Sequence, residues 1–128
     1  MIPWLENGDP FPPLSQALCE RNGLLAAGGT LFGERLLVAY RLGICPWYGE
    51  GQPVLWWSPD PRMVLHVQEF RLHRSLRRVL QRFRATPGCE VRIDSDFPAV
   101  IRACAQTPRA GQDGTWIVPR MVAAYEAL

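Results

Sequence analysis

The stretch GICPWYGEGQPVLWWSPDPR, residues 43–62, limits what this chain can fold into more than any other segment. It holds four prolines and three of the chain's five tryptophans. Because proline fixes φ, lacks an N–H and disfavours a helical conformation in the residue before it, the segment must be largely extended. Within it, VLWW forms a short predicted strand whose alternation sends Trp56 and Trp57 to opposite faces. The residues leave two interpretations open: large rings that fill a core, or a rigid aromatic wall that lines a pocket.

Composition places the chain among globular proteins with a single core. Its 128 residues are 48% hydrophobic and 20% charged, and no apolar run approaches the ~18 residues that a membrane span needs. The N-terminal sequence MIPWLENGDPFPP lacks the basic start and the apolar middle of a signal peptide. We therefore predict no membrane segment and a cytoplasmic location.

The cysteines and histidines do not form a metal-binding pattern. The four cysteines lie far apart, without a C-x-x-C pair or a nearby pair of histidines, which zinc sites usually contain. In a cytoplasmic chain we expect reduced, partly buried thiols, and we assign no metal ligand to either histidine. The residues concerned are Cys19, Cys45, Cys89, Cys104, His66 and His73.

The clearest predicted helix runs from about Arg74 to Arg84. Apolar residues recur every three or four positions and form one stripe, while five arginines occupy the rest of the circumference. No Asp or Glu occurs from Arg71 to Arg84, so these guanidinium groups repel one another unless an anion is present. Phosphate matches their geometry, and contact with a nucleic-acid backbone is favoured over a merely solvated face. The stripe is Leu72, Leu76, Val79, Leu80 and Phe83; the arginines are Arg74, Arg77, Arg78, Arg82 and Arg84.

Other elements before the tryptophan-rich stretch follow from glycine, proline and apolar spacing. PPLSQALCERNG predicts a short helix that starts after its prolines and stops at Gly23. LLAAGG predicts a sharp turn at its two glycines. A second helix is predicted from Glu34, with Gly43 as its C-terminal stop.

After the tryptophan-rich stretch, MVLHV (63–67) and CEVRID (89–94) are predicted strands. Apolar spacing from Phe97 to Cys104 predicts a helix, with Asp94 or Ser95 near its N-cap. A last helix has Pro119 near its first turn and ends the chain with its apolar face just established. We therefore expect the chain to be a fragment of a longer protein.

Well-known catalytic patterns are absent: the sequence has no Walker loop, G-x-G-x-x-G, G-x-S-x-G or H-E-x-x-H. Four motifs nevertheless occur in order: NGLLAAGGTLFGERLLVAYRLGICPW, PVLWWSPDPRMVL, GTWI and MVAAY. Together they resemble the bacterial leucyl/phenylalanyl-tRNA–protein transferases over essentially the whole chain, from about Pro12 to Tyr125. The resemblance implies an α+β fold, in which a small N-terminal α/β domain carrying the aromatic cluster (residues 1–62) precedes the basic helix and the incomplete start of a GNAT-like acyltransferase domain (residues 63–128).

The resemblance also implies an activity. The family moves leucine or phenylalanine, and less well methionine, from aminoacyl-tRNA to the N-terminal arginine or lysine of an acceptor protein, which marks that protein for degradation through the N-end rule. No cofactor is implied, because the aminoacyl ester is already activated. The expected partners are aminoacyl-tRNA and the acceptor protein, and we expect a monomer.

Site residues are implied position by position. Trp47 in CPW and Trp116 in GTWI match positions that line the pocket for the donor side chain, with Trp56 and Trp57 as framework. Tyr40 and Tyr125 match positions near the terminal adenosine and the aminoacyl ester. The positions that match the family's basic helix, which holds the tRNA acceptor stem, are Arg74, Arg77, Arg78 and Arg82.

The sequence also departs from the family pattern. His73 replaces a serine before the basic helix, Val118 replaces a threonine that would cap the last helix, and Cys45 replaces a phenylalanine beside the pocket. No catalytic residue is assigned here, because the family's proton-relay and acceptor-binding groups fall beyond residue 128. We therefore expect inefficient transfer by this polypeptide alone. The alternatives are a non-catalytic RNA-binding fragment that lacks the catalytic half, and an inactive, marginally folded product.

Overall fold

The computed structural model describes residues 1–111 and 115–128, which divide into two compact units. The first unit comprises Met1–Pro61 together with Asp96–Leu128, and the second comprises Arg62–Ser95. The predicted family domains, 1–62 and 63–128, divide the chain differently, since residues from Asp96 onward here group with the N-terminal part; that division stays a prediction. Within the described ranges, no helix is long and apolar enough to cross a membrane.

The first unit is built on a mixed four-stranded sheet in the order β1-β2-β4-β3. Strands β1 and β2 are parallel, whereas β2 with β4 and β3 with β4 are antiparallel. The predicted strand around VLWW is confirmed as β4, while LLAAG forms a strand that the sequence predicted only as a turn. The strands are β1 (Trp4–Leu5), β2 (Leu24–Gly28), β3 (Cys45–Pro46) and β4 (Leu55–Trp57).

A glycine closes β2 because two neighbouring groups leave no room for a side chain. Gly28 has φ of +85°, and a Cβ there would lie 2.7 Å from the Leu5 carbonyl oxygen and 2.8 Å from the Trp4 ring. L-residues rarely adopt this φ, and the distances are below van der Waals contact. Glycine at this position therefore allows β1 to pair with β2.

Four helices accompany the sheet and the second unit in the described residues, which confirms the α+β class. The helix predicted from Glu34 is α1, and its stop is confirmed: Gly43 has φ of +75° and its N–H donates to the Tyr40 carbonyl at 3.0 Å. The N-cap of α3 is Asp96 rather than the predicted Asp94 or Ser95, since its carboxylate accepts from the Ala99 N–H at 3.1 Å. The helices are α1 (Glu34–Arg41), α2 (Arg74–Ala85), α3 (Phe97–Gln106) and α4 (Pro119–Glu126).

Three predicted elements are absent. The helix predicted before Gly23 is replaced by two 3-10 turns, Leu14–Gln16 and Cys19–Arg21, because Leu18 between them is extended and bridges to Leu24. Residues 63–67 and 89–94 form no strand in the described chain, and both stretches are exposed. Without a neighbouring strand to accept their backbone hydrogen bonds, β-branched residues do not make a strand.

The hydrophobic core lies entirely in the first unit. It joins β2 and β4 to α1 and α4, and the fully buried side chains include Leu25 of β2, Leu36 of α1, Trp56 of β4 and Met121 of α4. In the second unit, by contrast, no residue is buried and only Leu72 and Phe83 are half-buried. The four cysteines form no disulfide with one another, but three of them are exposed rather than partly buried as predicted.

Replacing His73 with serine is expected to stabilise α2. His73 occupies the N-cap with extended backbone (φ −60°, ψ 151°) but its side chain makes no capping hydrogen bond. A serine hydroxyl can accept from a free N–H of the first turn, which is worth about 0.5–2 kcal/mol. Amide hydrogen exchange within α2 should slow accordingly, while His73→Ala, which adds no acceptor, should not slow it.

Candidate functional site

The fold brings together two tyrosines that are far apart in sequence. Tyr40 of α1 and Tyr125 of α4 are joined by a hydrogen bond between their hydroxyl groups. Their rings stack, with centroids 6.5 Å apart and planes 15° from parallel. Tyr125 also packs against the core, whereas Tyr40 is 40% exposed. The pair therefore presents hydroxyl groups near the surface, and packing of Tyr125 against the core holds them in place.

Burial and the hydrogen bond to Tyr125 raise the pKa of the Tyr40 hydroxyl, with smaller contributions from the charges of Tyr125 and Cys45. Both main causes disfavour the phenolate. Burial removes the water that would solvate its charge, and the hydrogen bond to Tyr125 stabilises the neutral hydroxyl. Tyr40 is thus neutral at physiological pH. It can donate or accept a hydrogen bond, but it is a poor general base.

This raised pKa predicts an alkaline loss of stability. A group whose pKa is higher in the folded state contributes stability that is complete below its unfolded pKa, about 10 for tyrosine, and is lost as the pH rises towards the folded value. The unfolding temperature should therefore fall more steeply above pH 10 in the wild type than in Tyr40→Phe. Equal slopes in thermal melts from pH 8 to 11 would contradict this assignment.

Trp47 presents an exposed ring on a fixed backbone. It directly follows β3, its N–H donates to the Leu55 carbonyl at 3.0 Å, and its carbonyl accepts from the Trp57 indole N–H at 2.6 Å. Trp47 is 56% exposed, and the centroid of its ring lies 5.9 Å from that of the Trp57 ring. A large apolar face is thus held at the surface, which is unusual for a side chain that gains so much from burial.

Trp116 lies at a different place in the packing. It is half-buried and packs against the core cluster that contains Met121 and Trp56. In the part of the chain that the structure describes, the ring contact recorded for Trp47 is with Trp57 and not with Trp116. The shared pocket of Trp47 and Trp116 therefore stays a prediction.

Trp56 is fully buried in the core, and the role of Trp56 and Trp57 as framework behind a donor pocket stays a prediction. The Trp56 indole N–H donates to the Gly28 carbonyl at 2.9 Å, and the Phe11 and Trp56 rings meet edge-on with centroids 4.9 Å apart.

Sequence reasoning missed Arg35, which lies beside these rings. Its guanidinium lies 4.5 Å from the Phe11 ring centroid and donates to the Asp9 carbonyl at 2.7 Å. Burial lowers the pKa of Arg35, partly offset by Asp9. This cation–π contact fixes the N-terminal segment, and no sequence spacing indicates it.

The predicted RNA-binding arginines lie in the second unit, on α2. They occupy positions i, i+3, i+4 and i+8 of the helix and so share one face, opposite the apolar stripe. All are exposed, and no ion pair to them occurs among the described residues. An exposed cationic face of this kind can contact the phosphates of a nucleic-acid strand. The residues are Arg74, Arg77, Arg78 and Arg82.

Over residues 1–111 and 115–128, no group of three or more histidine, cysteine, aspartate or glutamate side chains converges to hold a metal ion.

Two family sequence models match the chain. The model described as leucyl/phenylalanyl-tRNA protein transferase matches residues 64–128, and the model of the N-terminal domain of the same proteins matches residues 31–60. The match to the N-terminal domain model contains Tyr40 and Trp47. The match to the transferase model contains Trp116, Tyr125 and α2.

Curated relatives align along the whole chain, and each is named leucyl/phenylalanyl-tRNA--protein transferase. The Leptothrix cholodnii protein is 63% identical over all of this chain and 52% of its own length. The Polaromonas sp. protein is 58% identical over 99% of this chain and 51% of itself, and the Chromobacterium violaceum protein is 58% identical over 98% and 52%. The chain thus spans about half the length of the curated relatives it matches. On these alignments and family models, it belongs to the leucyl/phenylalanyl-tRNA–protein transferase family.

Proposed function

We propose that this chain provides the donor-binding and RNA-binding part of an aminoacyltransferase. The enzyme moves leucine or phenylalanine, and less well methionine, from aminoacyl-tRNA to the N-terminal arginine or lysine of an acceptor protein. The modified acceptor is then degraded through the N-end rule, and the enzyme works in the cytoplasm as a monomer without a cofactor.

One observation carries the proposal: the hydroxyl contact between Tyr40 and Tyr125. The resemblance assigns both residues to the terminal adenosine and the aminoacyl ester, although they are separated by most of the chain. A shared site requires that they lie together, and in the folded chain they touch. Because α4 also supplies core residues, the position of Tyr125 is set by packing and not by the ligand.

The reaction is an aminolysis of the ester that links the amino acid to the tRNA. The neutral amine at the acceptor's N-terminus attacks the ester carbonyl carbon, a C–N bond forms, and the C–O bond to the ribose breaks. The amine's proton ends on the departing ribose oxygen, which leaves as the tRNA hydroxyl. Tyr40 remains neutral, and both tyrosines orient the ester by hydrogen bonds, since positioning alone supplies a large part of the rate.

Selection of the donor depends on an aromatic pocket. Trp47 and Trp116 supply apolar faces that suit leucine, phenylalanine and methionine, whose side chains are large and not branched at Cβ. Such a pocket separates side chains by only about 10–200-fold for each methylene. Overlap among these three amino acids is therefore expected.

Replacing Trp47 with alanine is expected to lower the preference for Phe-tRNA over uncharged tRNA by about tenfold, because one wall of the pocket is lost. The measurement is a competition binding titration with Phe-tRNA in which an amide replaces the labile ester. Trp4→Ala is the matched control, since Trp4 is also a largely exposed tryptophan of the first unit. If neither variant changes the preference for Phe-tRNA over uncharged tRNA, Trp47 does not line the pocket.

The transfer step needs proton-relay and acceptor-binding groups that this chain is not expected to carry. In an assay with labelled Phe-tRNA and an arginine-terminated peptide, the chain alone should transfer far more slowly than the full-length Leptothrix cholodnii relative. A rate equal to that of the relative would show that the chain itself holds the catalytic groups.

A non-catalytic RNA-binding protein is the second candidate. The exposed arginine face of α2, without ion pairs among the described residues, favours it. Such a protein would bind charged and uncharged tRNA equally, with an affinity that falls steeply with salt. Discrimination between the two tRNAs separates the first candidate from the second, and an absence of salt-dependent binding contradicts both.

A further inference from the structure

Helix α4 begins without a side-chain cap. Its N-cap is Val118, whose apolar side chain cannot accept a hydrogen bond, and Pro119 at the first helical position has no N–H. Among the described residues, the backbone N–H of Arg120 has no hydrogen-bond partner. The next two N–H groups, those of Met121 and Val122, both donate to the Val118 carbonyl. One donor at the positive end of the helix dipole is therefore left open.

A second polar group at this end of α4 is buried and also lacks a partner. Tyr48 is 5% exposed, and it belongs to the same core cluster as Val118 and Met121. In the part of the chain that the structure describes, no group makes a hydrogen bond to the Tyr48 hydroxyl. A buried hydroxyl without a partner is unfavourable, so an acceptor brought by a ligand would gain a ready donor.

Arg120 supplies a positive charge near that hydroxyl. Burial raises the pKa of the Tyr48 hydroxyl, and the charge of the Arg120 guanidinium partly offsets the rise. The hydroxyl is therefore neutral at physiological pH and can donate. Arg120 is exposed, and no carboxylate pairs with it over the described ranges. The first turn of α4 contains no acidic residue that would repel an anion.

These three donors suit a phosphate group. Helix N-termini bind phosphate through their open N–H groups, and a guanidinium or a hydroxyl adds further hydrogen bonds to the phosphate oxygens. We propose that the backbone N–H of Arg120, the Arg120 guanidinium and the Tyr48 hydroxyl bind one phosphate group at the N-terminus of α4. The exposed guanidinium lies on the solvent side of this site, and the buried hydroxyl lies on the core side.

The donor tRNA is one source of this phosphate, and that assignment rests on the proposed function. Arg120 and Tyr125 lie five residues apart on α4, which is roughly 7.5 Å along the helix axis at 1.5 Å per residue. Tyr125 is the residue assigned to the aminoacyl ester, and Tyr48 directly follows Trp47. The phosphate of the terminal nucleotide can therefore bind at one end of α4 while its ester lies towards the other. Inorganic phosphate is the other source.

Backbone amide NMR of the chain, titrated with inorganic phosphate at constant ionic strength, tests the site. The Arg120 amide signal should shift and saturate in the wild type, and reading this one amide separates the site from the arginines of α2. Arg120→Gln and Tyr48→Phe should each weaken phosphate affinity at this amide about tenfold, because each removes a donor to a charged group. Val118→Thr should also weaken it, because an N-cap hydroxyl accepts from the N–H groups of the first turn.

Arg21→Gln is the matched control, since Arg21 is also an exposed arginine of the first unit. It should leave phosphate affinity at the Arg120 amide within about twofold of wild type. Thermal melts without phosphate show whether Tyr48→Phe remains folded; its unfolding temperature should not fall, since only an unpartnered hydroxyl is lost. A wild-type Arg120 signal that does not saturate overturns the proposal, as does an affinity that any of the three site variants leaves unchanged.

Binding of complete tRNA and of tRNA shortened by its terminal nucleotide distinguishes the two sources. We expect Arg120→Gln to weaken binding of complete tRNA about tenfold and of shortened tRNA less than about twofold. If neither RNA is affected, the site binds inorganic phosphate. Equal weakening of both RNAs overturns the assignment to the terminal nucleotide. A wild-type chain that binds neither RNA but keeps the Arg120 shift would contradict the proposed function and support the phosphate site.

Discussion

Replacing Trp56 with alanine is expected to destabilise the first unit by about 3–5 kcal/mol, a large part of what a small domain has. The side chain is fully buried, and its N–H satisfies the carbonyl of Gly28 at the end of β2. It also meets the edge of the Phe11 ring, over which Arg35 lies. Its removal would open a cavity and leave a buried carbonyl without its donor.

Chemical denaturation of the wild type and Trp56→Ala measures this loss. Trp47→Ala deletes the same atoms from an exposed position, so it should cost less than about 1 kcal/mol and separates burial from the mere loss of a tryptophan. Trp56→Phe keeps most of the packing but loses the N–H and should fall between the two. Similar costs for Trp47→Ala and Trp56→Ala would contradict the assignment of Trp56 as framework.

The contrast between these two tryptophans shows what the sequence could and could not predict. Prolines on both sides correctly predict an extended segment, and alternation correctly predicts strand β4. Which ring is buried depends on partners elsewhere, since Trp56 is covered by Phe11 and hydrogen-bonded to Gly28. Contacts between residues that distant in sequence leave no periodic signal in the segment itself.

Elements with local signals were predicted better than elements that need a partner. Helices α1, α3 and α4 follow from apolar spacing and from glycine or proline at their ends, which are local features. Strand β2 was missed because its two alanines and its glycine have low β-propensity, and its pairing with β1 and β4 overrides that preference. The strands predicted at 63–67 and 89–94 fail for the converse reason, since apolar β-branched residues there find no neighbouring strand.

The amphipathic stripes of α2 and α3 illustrate a different limit. Spacing correctly predicts which residues share a face, but not whether that face is covered within the chain. Val79 and Val100 are more than half exposed although both lie on predicted core faces. A hydrophobic pattern indicates that a face needs a partner, but it does not indicate which segment supplies that partner.

The candidate site was predicted by family resemblance more than by physical reasoning. Nothing in the spacing of Tyr40 and Tyr125 indicates that their hydroxyls meet, because the contact depends on how α1 and α4 pack on the sheet. The arginine face of α2, in contrast, follows directly from helical geometry and the absence of acidic residues. The prediction that this arginine face binds tRNA therefore depends least on the family resemblance.

Replacing Arg74, Arg77, Arg78 and Arg82 together with glutamine is expected to weaken tRNA binding by roughly two to three orders of magnitude near 0.1 M salt. Each phosphate contact contributes about 0.9 to the slope of log affinity against log salt in a duplex, so the slope should become shallower by about 3–4. Glutamine has nearly the helix propensity of arginine, and α2 should remain folded. Filter-binding titrations at several salt concentrations measure both quantities.

The same four positions replaced by lysine provide the control, because lysine keeps the charge but loses the planar two-pronged donor of arginine. The salt slope should then be close to wild type, while the affinity falls by about tenfold or less. If the glutamine variant keeps the wild-type slope, these arginines do not contact phosphate. If the lysine variant loses as much affinity as the glutamine variant while its slope is preserved, the arginines act through bidentate geometry, since charge alone would have been retained.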